Sequence, residues 1–296
     1  MNNMKKTIAV IGASGSQGSG VVNTLLQEGT FNVRATTRDP KNYSGKAHEA
    51  VYADLTDLES LKEAFKDVYG VFVVTNYWGG ADEIGQGKNA VEAAKGAGVE
   101  HFVWSTLPDV ESISNGEFDV PFFTNKSKLD DTVKNAGFKY TSFVEAPFYF
   151  QNLAAWLAPQ EQEDGTIGWA LPLDPTKQVV HWSDINDMGK VVAGAFLQPE
   201  KAGNGDYLTL ATELFSFNDI IAAYKRQGKE YSYTQVEGAV FSSLMEGGKG
   251  VTDMFGFCEK YTYMGSGCLF GIHIGFLQNC FKKGEIRQTY VRKDQV

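Results

Sequence analysis

Three glycines spaced three apart, Gly12, Gly15 and Gly18, follow directly on an apolar run at residues 8–11 and lead into a helical pattern. Residues of that type in that order form a phosphate cradle. Glycine at the first position allows a turn too tight for a Cβ. The second lets backbone approach a pyrophosphate, and the third lets the helix pack closely on the strand. The phosphates then meet the unpaired N–H groups and positive end of the helix. Any tight loop also uses glycine, but a strand before and a helix after favour the dinucleotide reading here. Roughly twenty residues on, Arg38 follows a β-branched run at 31–37. An acid at that point bonds a ribose 2′-hydroxyl and an arginine accommodates a 2′-phosphate, so Arg38 favours NADP over NAD. Asp39 beside it adds some hydroxyl-binding capacity.

Further polar residues fall at the ends of predicted strands, where ligands of open α/β sheets bind. Asp54 follows a short strand at 49–53 and is placed to meet an adenine, as a plain turn aspartate would also be. Asn76, Tyr77 and Trp78 follow a buried strand at 70–75, either in the crevice or covering the sheet edge. The pattern that must position them alternates strands with helices. A capping box, Thr56 to Glu59, opens one helix, and others are predicted over 82–97 and about 124–135, the last carrying Lys126 near its start. With strands at 101–105 and 140–144, six strands alternate with helices, which gives a parallel sheet covered on both faces.

The fold class is therefore α/β, a doubly wound parallel Rossmann sheet over residues 1–147 with a smaller C-terminal α+β region over 148–268. There the pattern predicts a short amphipathic helix after Asn152, a helix over 184–197 capped by Ser183, and a strand at 207–210. A helix opened by Ser216 and Asp219 and a strand near 231–235 follow. Selection of a substrate or partner belongs between the two regions. Residues 269–296 form a divergent tail, basic and polar towards its end, for which low order is expected.

The 296 residues carry 43% hydrophobic residues and a net charge of -9, which suits a packed core and disfavours direct nucleic-acid binding. The sequence shows neither an apolar run of membrane-spanning length nor a hydrophobic signal core, which points to the cytosol, with the nucleus open. Cys258, Cys268 and Cys280 fit neither a disulfide framework nor a zinc site and read as reduced structural thiols. The four histidines are scattered singly, so no metal site is expected. A protein partner, a second copy of the chain and a small anionic cofactor remain.

The combination of GASGSQG, TTRDP, VTNYW, the Lys126 helix and FYFQNL resembles the NmrA-like family, an atypical branch of the short-chain dehydrogenase/reductase superfamily, over about residues 5–265. VTNYW and YFQN are most similar to the animal members that act as redox sensors. The resemblance implies NADP binding and members that sense the NADPH/NADP balance by changing shape or partners. It implies a diphosphate loop of Gly12, Ala13, Ser14, Gly15, Ser16 and Gln17, and a 2′-phosphate site of Arg38, Asp39, Lys41 and Asn42. Asp54 and Leu55 would flank the adenine, and Thr75, Asn76 and Tyr77 the ribose and central phosphates. Lys126 would take the nicotinamide ribose, and Tyr149, Phe150, Gln151 and Asn152 the nicotinamide end.

One departure bears on chemistry. Catalytic short-chain dehydrogenases carry a tyrosine four residues before the lysine, as proton donor to the carbonyl oxygen. Phe122 stands there and has no proton to give. The main expectation is thus a regulatory protein whose NADP occupancy controls association with another protein. The enzyme alternative is an NADPH-dependent quinone oxidoreductase with Lys126, Tyr77, Tyr149 or solvent supplying the proton. A cofactor-free interaction module ranks last, because the glycine loop and Arg38 are both intact.

Overall fold

The computed structural model describes residues 5–210, 213–244 and 247–265. The expected tail and Cys268, Cys280 and His273 lie outside the described residues. In chain order the first half forms β1 (Thr7–Val10), α1 (Ser16–Glu28), β2 (Asn32–Thr37), β3 (Glu49–Tyr52), α2 (Leu58–Ala64), β4 (Gly70–Val73) and α3 (Glu83–Gly96). It continues with β5 (His101–Thr106), α4 (Val110–Ser114), α5 (Pro121–Lys128), α6 (Asp130–Lys134) and β6 (Tyr140–Glu145). The second half forms β7 (Phe148–Tyr149), β8 (Gln160–Glu161), β9 (Ile167–Leu171), β10 (Val180–Ser183), α7 (Asp187–Leu197), α8 (Pro199–Ala202) and β11 (Asn204–Thr209). After these come β12 (Leu214–Phe215), α9 (Phe217–Arg226), β13 (Ser232–Gln235), α10 (Gly238–Ser243) and α11 (Gly248–Tyr261).

The main sheet has seven strands in the order β11-β6-β5-β4-β1-β2-β3, and every pairing in it is parallel. Alternation along the strands divides its core. Ile8 and Val10 of β1 face α1 and α7, whereas Ala9 and Ile11 face α2, α3 and α6. The sheet is therefore doubly wound, as expected. The chain returns to it after β10: α7 packs on α1, and β11 adds the seventh strand beside β6. Two small sheets, β12-β10-β7 and β13-β9-β8, build the second region around an aromatic core that includes Phe148, Trp169, Trp182, Phe217 and Phe255. Among the described residues no helix is long and apolar enough to cross a membrane.

Four local expectations are corrected. Thr56 does not cap α2; its N–H and hydroxyl both bond Asp54 Oδ1, and Asp57 caps instead by accepting from Glu59 N and Ser60 N. Ser183 ends β10 rather than capping α7, which starts four residues later. The helix expected over 124–135 is two, α5 and α6, and it begins earlier because Pro121 occupies its first turn, where a missing N–H costs nothing. Phe148 onward is a two-residue strand and a 3₁₀ turn, Phe150–Ala154, in place of an amphipathic helix. The box at Ser216 and Asp219 forms as expected, with both reciprocal bonds present.

One buried acid sits where β5, β6 and β11 meet. Asp130 is 5% exposed and accepts from Trp104 Nε1 at 3.0 Å, Thr106 Oγ1 at 2.7 Å and Tyr207 OH at 2.7 Å. Burial outweighs these bonds and pushes its carboxyl up to about 7. Because the folded value lies above the unfolded one, the protonated acid stabilises fully below about pH 4 and that stability is lost as pH rises through about 7, at most about 4 kcal/mol. Urea midpoints measured from pH 4 to 8 are expected to fall with pH. Asp130→Asn should flatten that dependence, and an unaltered slope would remove Asp130 as its source.

Candidate functional site

The glycine turn is built by backbone alone. Ile11 N bonds Phe72 O at 2.9 Å, which ties the end of β1 to β4, and the chain then reverses at Gly12 with φ +69. Gly15 N closes the turn on Gly12 O at 2.8 Å. A Cβ on Gly18 would lie 2.9 Å from Ala13 N and closer still to the Gly12 carbonyl, so α1 rests on the turn at backbone distance. Gly15 occupies the N-cap position with no side-chain cap, and the first turn holds no acid. By contrast α2, α3 and α4 each carry an aspartate cap. The positive end of α1 is thus left bare beside exposed Ser14 and Ser16. Gln17 Oε1 accepts from Ser105 Oγ at 2.8 Å, joining this turn to the end of β5.

The sheet order places this turn at the switch point, where the connections from β1 run outward to β2 and β3 on one side and β4 begins the other side. On the β2–β3 side, Arg38 is exposed at the end of β2. Asp54 follows β3, its carboxyl held below the usual range by the two bonds from Thr56, with Arg38 adding a smaller pull. Leu55 accepts from Asn89 Nδ2 through its carbonyl at 2.9 Å. Asp39 is committed elsewhere: it caps the turn Pro40–Asn42 and bonds Asn42 N at 3.3 Å and Nδ2 at 2.7 Å. Lys41 is exposed within that turn.

On the β4 side, Lys126 lies buried against Thr75. Its ammonium donates to Glu83 Oε1 at 2.6 Å, Thr75 Oγ1 at 2.9 Å and Thr75 O at 3.0 Å. Burial pulls the Lys126 pKa down while Glu83 holds it up. Asn76 is fixed by paired bonds between its backbone and the Gln86 amide, at 3.0 and 3.1 Å. Tyr77 and Trp78 form an aromatic cluster with Phe122, Trp78 stacked on it at 5.2 Å and 30°. Sequence reasoning passed over Glu83 and Gln86. An acid in the first turn of the helix after the β4 loop reads as a helix-dipole residue, and only the fold turns it on Lys126.

At the edge of the second region, Tyr149 and Ser183 are register partners on β7 and β10, and both hydroxyls are buried with no hydrogen-bond partner among the described residues. Desolvation raises the Tyr149 pKa far above its ordinary value. Phe150 stacks on Trp182 at 5.5 Å, Gln151 bonds Asp184 Oδ1 at 2.8 Å and receives Ile185 N at 3.1 Å, and the Asn152 carbonyl accepts from Ala155 N and Leu157 N. Of these four, only Tyr149 holds a buried side-chain polar atom without a hydrogen-bond partner among the described residues.

A doubly wound parallel sheet, a glycine turn under a bare helix end and a crevice at the switch point define the NAD(P)-binding Rossmann class. Within it, the profile of the NmrA-like family matches residues 4–285, and the chain belongs to that family. The match continues past residue 269, where the sequence was expected to depart from it. The NmrA-like family domain-containing oxidoreductase FrzB of Cladobotryum sp is 30% identical over 261 residues, covering 77% of this chain and 76% of that one. The crystal structure of NmrA, a negative transcriptional regulator, in complex with NADP superposes with a TM-score of 0.73 at 23% identity, over 94% of this chain and 92% of the other. The NADPH-dependent quinone oxidoreductase QOR2 of Escherichia coli, complexed with NADPH, gives 0.68 at 21% identity, over 92% and 94%.

Because the atoms a Gly18 side chain would meet are backbone, Gly18→Ala should cost about 1–3 kcal/mol. Urea unfolding of the variant reads this directly, and wild-type stability would disprove the close seat of α1 on the turn.

Proposed function

We propose that the protein binds NADP(H) and acts as a regulatory redox sensor, its cofactor occupancy controlling association with another protein. The diphosphate would rest on residues 12–17 and the 2′-phosphate on Arg38 with Lys41. Asp54 and Leu55 would flank the adenine, and residues 75–77, Lys126 and Tyr149 would line the path to the nicotinamide. The observation that carries the sensing role is the position one turn before Lys126. Phe122 stands there under Trp78, so the site holds a lysine without the phenol that would donate a proton to a carbonyl oxygen. Occupancy acts on a partner only if the cofactor prefers one conformation over another.

A second reading, an NADPH-dependent quinone reductase, draws support from the Tyr77, Trp78 and Phe122 cluster, which offers planar apolar faces for a flat acceptor. Calorimetric titration with NADP and NAD, followed by NADPH absorbance with saturating quinone, separates the two. Binding without turnover supports the sensor, turnover supports the reductase, and no binding sinks both. Loss of a charge-assisted contact to the 2′-phosphate should lower the NADP-to-NAD affinity ratio of Arg38→Ala about tenfold or more. An unchanged ratio would remove Arg38 from that role.

A further inference from the structure

An ammonium has three N–H donors, and all three of Lys126 are taken: by Glu83 Oε1, Thr75 Oγ1 and Thr75 O. Thr75 also donates to Glu83 Oε1 at 2.8 Å. These two partners are the residues that flank segment 76–82, so one buried cation holds both ends of that segment together. The segment carries Trp78, 53% exposed, whose ring lies on Phe122. Phe122 sits one helical turn before Lys126 on α5. The Glu83 side chain is fully buried, and its second oxygen, Oε2, has no hydrogen-bond partner among the described residues. Two charges removed from water in this way gain little net stability, because desolvation offsets their attraction. A half-satisfied buried carboxylate is an arrangement poised to exchange partners.

We infer that Glu83 is the positioning residue of Lys126, and that their ion pair couples occupancy of the crevice to the Trp78 segment. The inference rests on the dinucleotide reading above. With no N–H left over, Lys126 can receive a sugar hydroxyl only when Glu83 or Thr75 gives up its bond. Either exchange takes the cation from one end of segment 76–82, leaving the Thr75–Glu83 bond and the Asn76–Gln86 pair to hold it, and Trp78 then shifts on Phe122. Glu83 itself need not touch the cofactor; it sets how readily Lys126 turns to it.

The full chain labelled with 5-fluorotryptophan gives one fluorine resonance for each of its five tryptophans, and Trp78→Phe assigns that of Trp78. Saturating NADP should shift the Trp78 resonance of the wild type. In Glu83→Gln the same resonance should stand at the shifted position before NADP is added and move little afterwards, with the other four unchanged. Should Glu83→Gln fail to fold, Thr75→Val removes Oγ1 alone and should show the same displacement to a smaller degree, while Thr75→Ser should behave as wild type. The inference falls if calorimetry shows NADP bound while the wild-type Trp78 resonance stays fixed. It falls equally if the variants start at the wild-type position and respond as the wild type does. A merely structural role for Glu83 would disturb all five resonances together. Absence of any binding heat would sink the dinucleotide reading and this inference with it.

Discussion

The fold depends on how closely α1 can approach the end of β1. Because Gly18 lets the helix rest on the Gly12 carbonyl, backbone meets backbone at the turn, and the N-terminus of α1 carries no side-chain cap. Where the strand order reverses, the connections after β1 and β4 leave on opposite faces of the sheet, α1 on one and α3 on the other, so a gap opens at the carboxyl ends of these strands. That gap is the candidate crevice, and Arg38, Asp54 and Thr75 follow the ends of β2, β3 and β4. After the second region begins, β11 and α7 return the chain to the main sheet, against β6 and α1.

Polar burial is concentrated near these strand ends. Asp130, Lys126, Glu83 and Tyr149 are all desolvated, yet their accounts differ. Asp130 has three donors and is satisfied as a structural junction of β5, β6 and β11. Among the described residues, Glu83 keeps one oxygen unpaired, and Tyr149 keeps its hydroxyl unpaired. Buried polar groups without partners are rare in folded proteins and need a reason. In this chain Glu83 lies beside the end of β4 and Tyr149 on β7, while His101 Nδ1, at the start of β5, is also without a partner among the described residues.

Much of the candidate site's local structure was legible in the sequence because its signals are local. Glycine spacing, an arginine after the second strand and the length of each apolar run all report on backbone within a few residues, and the sheet they predict is the one that forms. Capping was less legible, because several hydroxyls and carboxylates compete for the same amides. Asp54 captured Thr56, which left the cap of α2 to Asp57. The absence of a phenol before Lys126 was equally plain, since residue type alone decides whether a proton can be donated.

What the sequence determined by itself was the fold class, the glycine turn that seats α1 on β1 and the absence of a phenol before Lys126, each a property of residue types at fixed spacing along one element or the next. What only the tertiary structure decided was which groups meet across elements. Lys126 and Glu83 are 43 residues apart and pair because α3 and α5 converge on the end of β4. Tyr149 and Ser183 become neighbours because β7 and β10 align. Such pairings arise from packing of the whole chain, and a buried charge acquires its partner only when the fold removes water from around both.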